Sequence, residues 1–149
     1  MHDALSTVLE HADIEAAFFS RALGASNWGV FTKGSAAGIF HVVVRGSATL
    51  RVGDVEYSLT AGEIVVIPKG LAHTLCDPPG TAAVWIGELP AVDNGLPTVL
   101  AGTGSPTTEI SCGTVTMGEL GRELVLPHLP PVLVARGPVA RKALPVTSR

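Results

Sequence analysis

The residues of this chain that could do chemistry are few. The most ordered stretch runs Gly62-Glu63-Ile64-Val65-Val66-Ile67-Pro68-Lys69-Gly70-Leu71-Ala72-His73, a G-x5-P-x-G-x2-H pattern. Pro68 fixes φ and Gly70 can take φ > 0, so the pair reverses the chain and a new strand starts by carrying His73. An imidazole in that place can ligate a metal, contact a ligand in an interior hollow, or be a structural histidine satisfied by a backbone partner. His41 and Cys112 add one nitrogen and one sulfur donor. With His73 they would make three donors if the fold brought them together, and a divalent transition ion wants about three or four. The ligand contact is the preferred reading, with His41, His73, Trp28 and Cys112 as the candidate ligand-binding residues.

The other reactive groups point nowhere in particular. Cys76 lies three residues past His73 and faces the opposite side of a regular strand. A Cys76–Cys112 redox pair has no nearby cation to activate either thiol, so two small core residues is the simpler reading. Glu56, Glu63 and Asp77 lack the spacing of a two-carboxylate site. Ser47 and Ser58 lack a nucleophile elbow. Gly102-Thr103-Gly104 is not followed by Gly-Lys-Ser/Thr, which excludes a phosphate loop. Trp28 either lines a pocket or fills the core. No catalytic residue is assigned, and no metal or cofactor is expected.

The elements that must position these groups are short strands. Trp28–Phe31, Ile39–Val44, Ala48–Val52, Val55–Leu59, Ile64–Ile67, Ala72–Cys76 and Ala82–Ile86 are apolar runs bounded by Gly, Pro, Asp or Ser, the texture of a sandwich or barrel. Val52-Gly53-Asp54-Val55 reads as a tight hairpin and Ala61-Gly62-Glu63 as a second turn. Leu5, Val8, Leu9 and Ala12 predict a short helix over Asp3–Ala12, capped by Asp3. Ile14–Arg21 reads as a strand, Pro90–Pro106 as a loop, and Glu109–Met117 as a strand. A short helix fits about Gly118–Leu126, ended by Pro127, Pro130 and Pro131. Residues 1–134 are expected to form the domain, and Ala135–Arg149 to be a linker or tail.

Bulk numbers agree. The chain has 149 residues, a one-domain length, with 10 Lys+Arg against 13 Asp+Glu and a net charge of −3. That balance argues against coating nucleic acid, which needs a basic excess. Charged residues are 15% and apolar residues 46%, enough to bury a real core. No apolar run reaches a bilayer span and no secretory signal is visible. The expectation is therefore a soluble cytoplasmic protein with reduced thiols and no membrane partner.

The Gly62–His73 segment resembles the second conserved motif of the cupins, small antiparallel jelly-roll barrels. Phe40-His41-Val42-Val43-Val44-Arg45-Gly46-Ser47 sits where their first motif ends. Asp77 stands where that family usually has Asn. Metal-dependent cupins carry His-x-His and then Glu before the glycine equivalent to Gly46. Here Ile39 occupies the Glu position, and Thr32–Ala37 contains no histidine. Three of the four usual ligands are missing. Trp28-Gly29-Val30, Phe40-His41, Gly46-Ser47, Pro68–His73, Cys112-Gly113 and Leu129–Leu133 together are similar to the N-terminal cupin domain of AraC-type transcription regulators.

The resemblance implies an all-β cupin-type antiparallel jelly-roll barrel with a short N-terminal helix and a short C-terminal helical, proline-rich segment. It implies a non-enzymatic domain that senses a small-molecule effector and forms a homodimer. The chain carries no helical pattern left for the family's DNA-binding helix-turn-helix, so it is expected to be a sensor domain alone, either a fragment of a regulator or a free-standing relative, that makes no nucleic-acid contact itself. The rival from another class is a small metal-dependent cupin enzyme, an oxygenase or isomerase, which the missing ligands count against.

Overall fold

A computed structural model describes residues 11–136 of the chain. Among them are twelve strands and one short α-helix. In chain order the strands are β1 (Glu15–Ala25), β2 (Trp28–Thr32), β3 (Gly38–Arg45), β4 (Ser47–Val52), β5 (Val55–Thr60) and β6 (Ile64–Ile67). They continue with β7 (His73–Asp77), β8 (Val84–Trp85), β9 (Ala91–Asn94), β10 (Leu96–Gly102) and β11 (Thr108–Thr116). Helix α1 (Glu119–Leu124) follows, then β12 (Leu133–Ala135).

The strands form a seven-stranded sheet, β12-β6-β3-β11-β1-β10-β9, and a five-stranded sheet, β5-β4-β7-β2-β8. Most pairings are antiparallel; β1–β10 and β2–β8 are parallel. The architecture is the expected cupin jelly roll, with one correction. No strand belongs to both sheets, so the barrel is open, two sheets facing each other rather than one closed wall.

The core fills the space between them. Val43, Val65, Ile67 and Ile110 from the larger sheet meet Trp28, Val30, Leu50, Leu59 and Leu75 from the smaller one. Strand alternation explains the assignment. In β3 the inward residues are Ile39, His41 and Val43, because Val43 belongs to this core and parity carries the other two with it. In β7 the inward residues are His73 and Leu75 by the same rule.

Two corners set the frame. Gly53 takes φ +59°, and Val52 pairs with Val55 across the two-residue turn, as the sequence predicts. Gly70 takes φ +62°, and a Cβ there would collide with the carbonyl oxygens of Ser35 and Ala37. The Ser35 N–H donates to the Gly70 carbonyl at 2.7 Å, clamping the corner to the loop before β3. That clamp fixes where β7 begins, and so fixes His73.

Other expectations need revision. Pro90–Pro106 is not a loop: it holds β9 and β10, which double back at Gly95. Pro97 is tolerated because it precedes Thr98, where the parallel pairing to β1 starts, and faces only the edge strand β9. The strand expected over Ile14–Arg21 extends to Ala25. The C-terminal helix is shorter than predicted and passes into a 3-10 turn, Leu126–His128, that accommodates Pro127. Ala135 is not linker but the last residue of β12 on the sheet edge. Beside it Arg136 donates to the Ser58 carbonyl at 3.2 Å and to Glu63 Oε2 at 2.8 Å. The helix predicted over Asp3–Ala12 lies outside the described residues except at its end, and so does the rest of the predicted tail.

Candidate functional site

His41, His73 and Cys112 converge. On adjacent antiparallel strands, His41 of β3 stands directly opposite Cys112 of β11. Side chains so paired share a face a few ångströms apart. His41 Nδ1 accordingly lies 3.1 Å from Cys112 Sγ. His73 arrives from the other sheet: His41 Nε2 and His73 Nε2 are 2.9 Å apart, with ring centroids 5.0 Å apart and planes at 61°. His73 Nδ1 is 2.9 Å from the Leu71 carbonyl oxygen. All three side chains are buried, His41 at 4% exposure and His73 at 2%.

The carbonyl decides the protons. It can only accept, so His73 Nδ1 carries hydrogen and donates to Leu71. In a neutral imidazole the other nitrogen is then an acceptor. His41 Nε2 must therefore donate to His73 Nε2, which leaves His41 Nδ1 as an acceptor for the Cys112 thiol. Ser20 stands in register with Cys112 on β1, beside the sulfur. The result is one direction of donation, Cys112 to His41 to His73 to Leu71, with no net charge.

Burial keeps it neutral. Desolvation, reinforced by the neighbouring His73, lowers the pKa of His41 to about 3. Desolvation also lowers that of His73, against the opposing hydrogen bond to Leu71. Burial pushes the Cys112 thiol up to about 12, although the Ser20 hydroxyl pulls the other way.

This geometry does not fit a metal. His41 spends its two ring nitrogens on opposite edges, one toward Cys112 and one toward His73. The three donors thus line up along a path instead of surrounding a point. Ile39, inward on the same strand, brings a hydrocarbon where a carboxylate ligand would be needed. Among the described residues no group of three or more His, Cys, Asp or Glu is arranged to hold an ion.

Trp28 does not join the cluster. Register places Trp28 opposite Asp77 and Thr32 opposite His73, so Trp28 stands four residues along β2, roughly 13 Å away at the usual strand rise. Its ring lies over Gly24, where any Cβ would strike it. Its buried indole Nε1 has no hydrogen-bond partner among the described residues. Cys76 and Cys112 are both buried and free. By strand parity Cys76 faces away from the space that Cys112 enters.

A sequence profile of the cupins matches residues 3–148. The chain belongs to the cupin family. No curated protein matches the sequence of this cupin significantly. Among solved structures, this cupin is similar to ToxT from Vibrio cholerae with a bound unsaturated fatty acid, at 11% identity and a TM-score of 0.42, covering 83% of this chain and 40% of ToxT. It is likewise similar to ToxT bound to (E)-4-(8-methylnaphthalen-1-yl)but-3-enoic acid, at 11% identity and a TM-score of 0.41, covering 83% and 42%. The cupin spans less than half the length of that protein.

Two parts of the picture escaped sequence reasoning. Register alone sets Ser20 beside Cys112, and a turn alone brings the Leu71 carbonyl into the polar chain. The second part is a cavity of about 460 Å³ outside the sandwich, between the outer face of the larger sheet and the segment around α1. Its wall includes Val66 and Val115, the outward partners of inward Val65 and Thr114. No helix among the described residues is long and apolar enough to cross a membrane.

Proposed function

We propose that this cupin is the effector-sensing and dimerisation domain of an AraC-type transcription regulator, a binding module rather than an enzyme. The observation that carries the reading is the uncharged Cys112–His41–His73–Leu71 chain, lying in an apolar interior where metal cupins gather their ligands. Apolar residues of similar volume would fill that space without needing matched hydrogen bonds. What the imidazoles add is donors and acceptors that a small ligand can re-partner.

His73, itself buried, is the end of the chain that adjoins an exposed segment. It opens β7 directly after Leu71 and Ala72, both exposed, so an effector entering at that end of the sandwich meets it first. A ligand acceptor reaching the Trp28 indole would also relieve an unsatisfied buried donor, worth about 1–3 kcal/mol. His41, His73, Cys112 and Trp28 are thus the proposed contacts. The effector acts by population shift, and moves the equilibrium only as far as its affinity differs between the two arrangements. The dimer contact uses the exposed Leu120 and Leu124, one helical turn apart on α1. The DNA-reading region belongs to a separate part of such a regulator.

The test is a fluorescence titration of Trp28 and Trp85 with a panel of sugars, amino acids and aromatic acids, alongside metal analysis of protein purified without added metal. The reading expects a saturable change that His73→Ala removes. Stoichiometric transition metal lost in His41→Ala and His73→Ala would overturn it in favour of a metal enzyme.

A further inference from the structure

The cavity outside the sandwich is built differently from the histidine interior. Its floor is the outer face of the seven-stranded sheet, with Val66 on β6 and Val115 on β11, the strands on either side of β3. Its roof is the segment after β11, with Val125, Leu126 and Leu129 turned toward the sheet, and Leu133 closes one side. Hydrocarbon dominates this lining. Its volume, about 460 Å³, lies in the range of small-molecule sites.

Among the described residues one cation lines this apolar space: Arg122 of α1. One of its guanidinium nitrogens, Nη1, donates to the Met117 carbonyl at 2.9 Å, which fastens the head group beside the cavity. Among the described residues no carboxylate lies within ion-pair distance of Arg122. Of the other described arginines, 21, 51 and 136 each have one and Arg45 does not. Arg122 therefore keeps donors of its planar fork free for an anion, next to a wall that favours hydrocarbon. Arg122 is exposed while the sheet wall behind it is not, so the charge sits at the rim and the apolar surface lies deeper.

We propose that this cavity binds a medium-chain aliphatic monocarboxylate, its tail against Val66, Val115, Leu126 and Leu129 and its carboxylate on Arg122. Both halves of the ligand follow from the lining. A neutral hydrocarbon would leave the cation unused, and a compact anion would leave the wall wet. The site shares no residue with the histidine chain, so it stands or falls separately from the reading above.

The experiment is calorimetric titration of the whole chain with decanoate and decanol, each below its aggregation limit. Decanoate is expected to bind more tightly than decanol. Arg122→Gln should weaken decanoate about fivefold, the worth of a partly exposed Arg–carboxylate pair, and leave decanol unchanged. Leu126→Trp, which fills the cavity from the roof, should abolish both. Val115→Phe fills it from the floor and serves the same purpose if Leu126→Trp fails to fold. Equal affinity for acid and alcohol overturns the carboxylate assignment. Decanoate binding that survives both filling variants overturns the location. Absence of binding by either compound, with sedimentation shifted by the filling variants, shows a contact between copies of the chain and overturns the proposal. A null result with the sensing panel leaves all these readouts intact.

Discussion

His41 and His73 meet nitrogen to nitrogen, 2.9 Å apart, across the gap between the two sheets. Two imidazoles at that distance cannot both present a hydrogen to each other, nor both be charged at low cost. The Leu71 carbonyl settles which one accepts. The pair is thus a directional tie between the sheets whose strength depends on both rings staying neutral.

The tie predicts acid sensitivity. The folded-state pKa of His41, about 3, lies below its ordinary value of 6.5. Between those values the unfolded chain binds a proton that the native chain refuses, so stability falls as pH falls through that window. From pH 7 to pH 4 the loss from His41 alone is on the order of 3 kcal/mol. His73 shifts in the same direction and adds to it. Urea unfolding at a series of pH values should show this slope, and His41→Leu should flatten it. A wild-type profile with no slope between pH 6 and pH 4 would refute the buried-neutral assignment.

Breaking the chain should cost more than removing it. His41→Leu strands the acceptor of His73 and the thiol of Cys112, so we expect a loss of about 2–4 kcal/mol. His41→Leu with His73→Leu leaves fewer orphaned groups, and its loss should be well below the sum of the two single losses. A double-mutant cycle in urea measures the coupling. Additive costs would mean the two rings do not depend on each other.

The thiols should be silent in the native protein. Cys112 is buried with a pKa raised to about 12, and Cys76 is buried on the other sheet. Neither should react with Ellman's reagent until the chain unfolds, when both should react. Fast native labelling of Cys112 would contradict its place in the chain.

Gly70→Ala should be damaging beyond its size. The positive φ and the carbonyls of Ser35 and Ala37 leave no room for a Cβ. A loss of about 2 kcal/mol or more is expected in thermal or urea unfolding. His73 should be displaced with it, seen as a changed imidazole signal by NMR.

Much of this was written locally. Turn chemistry at Gly53, Gly62 and Gly70 and the period-two runs of β2 to β7 are properties of neighbouring residues, so they are readable in order along the chain. The same parity puts His41 on the face of Val43 and Cys76 on the face away from Leu75. The segment holding β9 and β10 misleads because its turn residues outweigh its apolar ones, and a strand there is decided by a distant partner, β1.

What the sequence by itself determined is the run of strands β2 to β7, the corner that delivers His73, and the loss of the metal ligands. Each depends on residue type within a few positions. Only the tertiary structure decided that Cys112 faces His41, that His73 crosses from the second sheet to meet it, and that Arg122 stands beside an apolar cavity. Those contacts join residues 32 to 71 positions apart, or pair a helix with the outside of a sheet. They are fixed by register and packing, which no local pattern records.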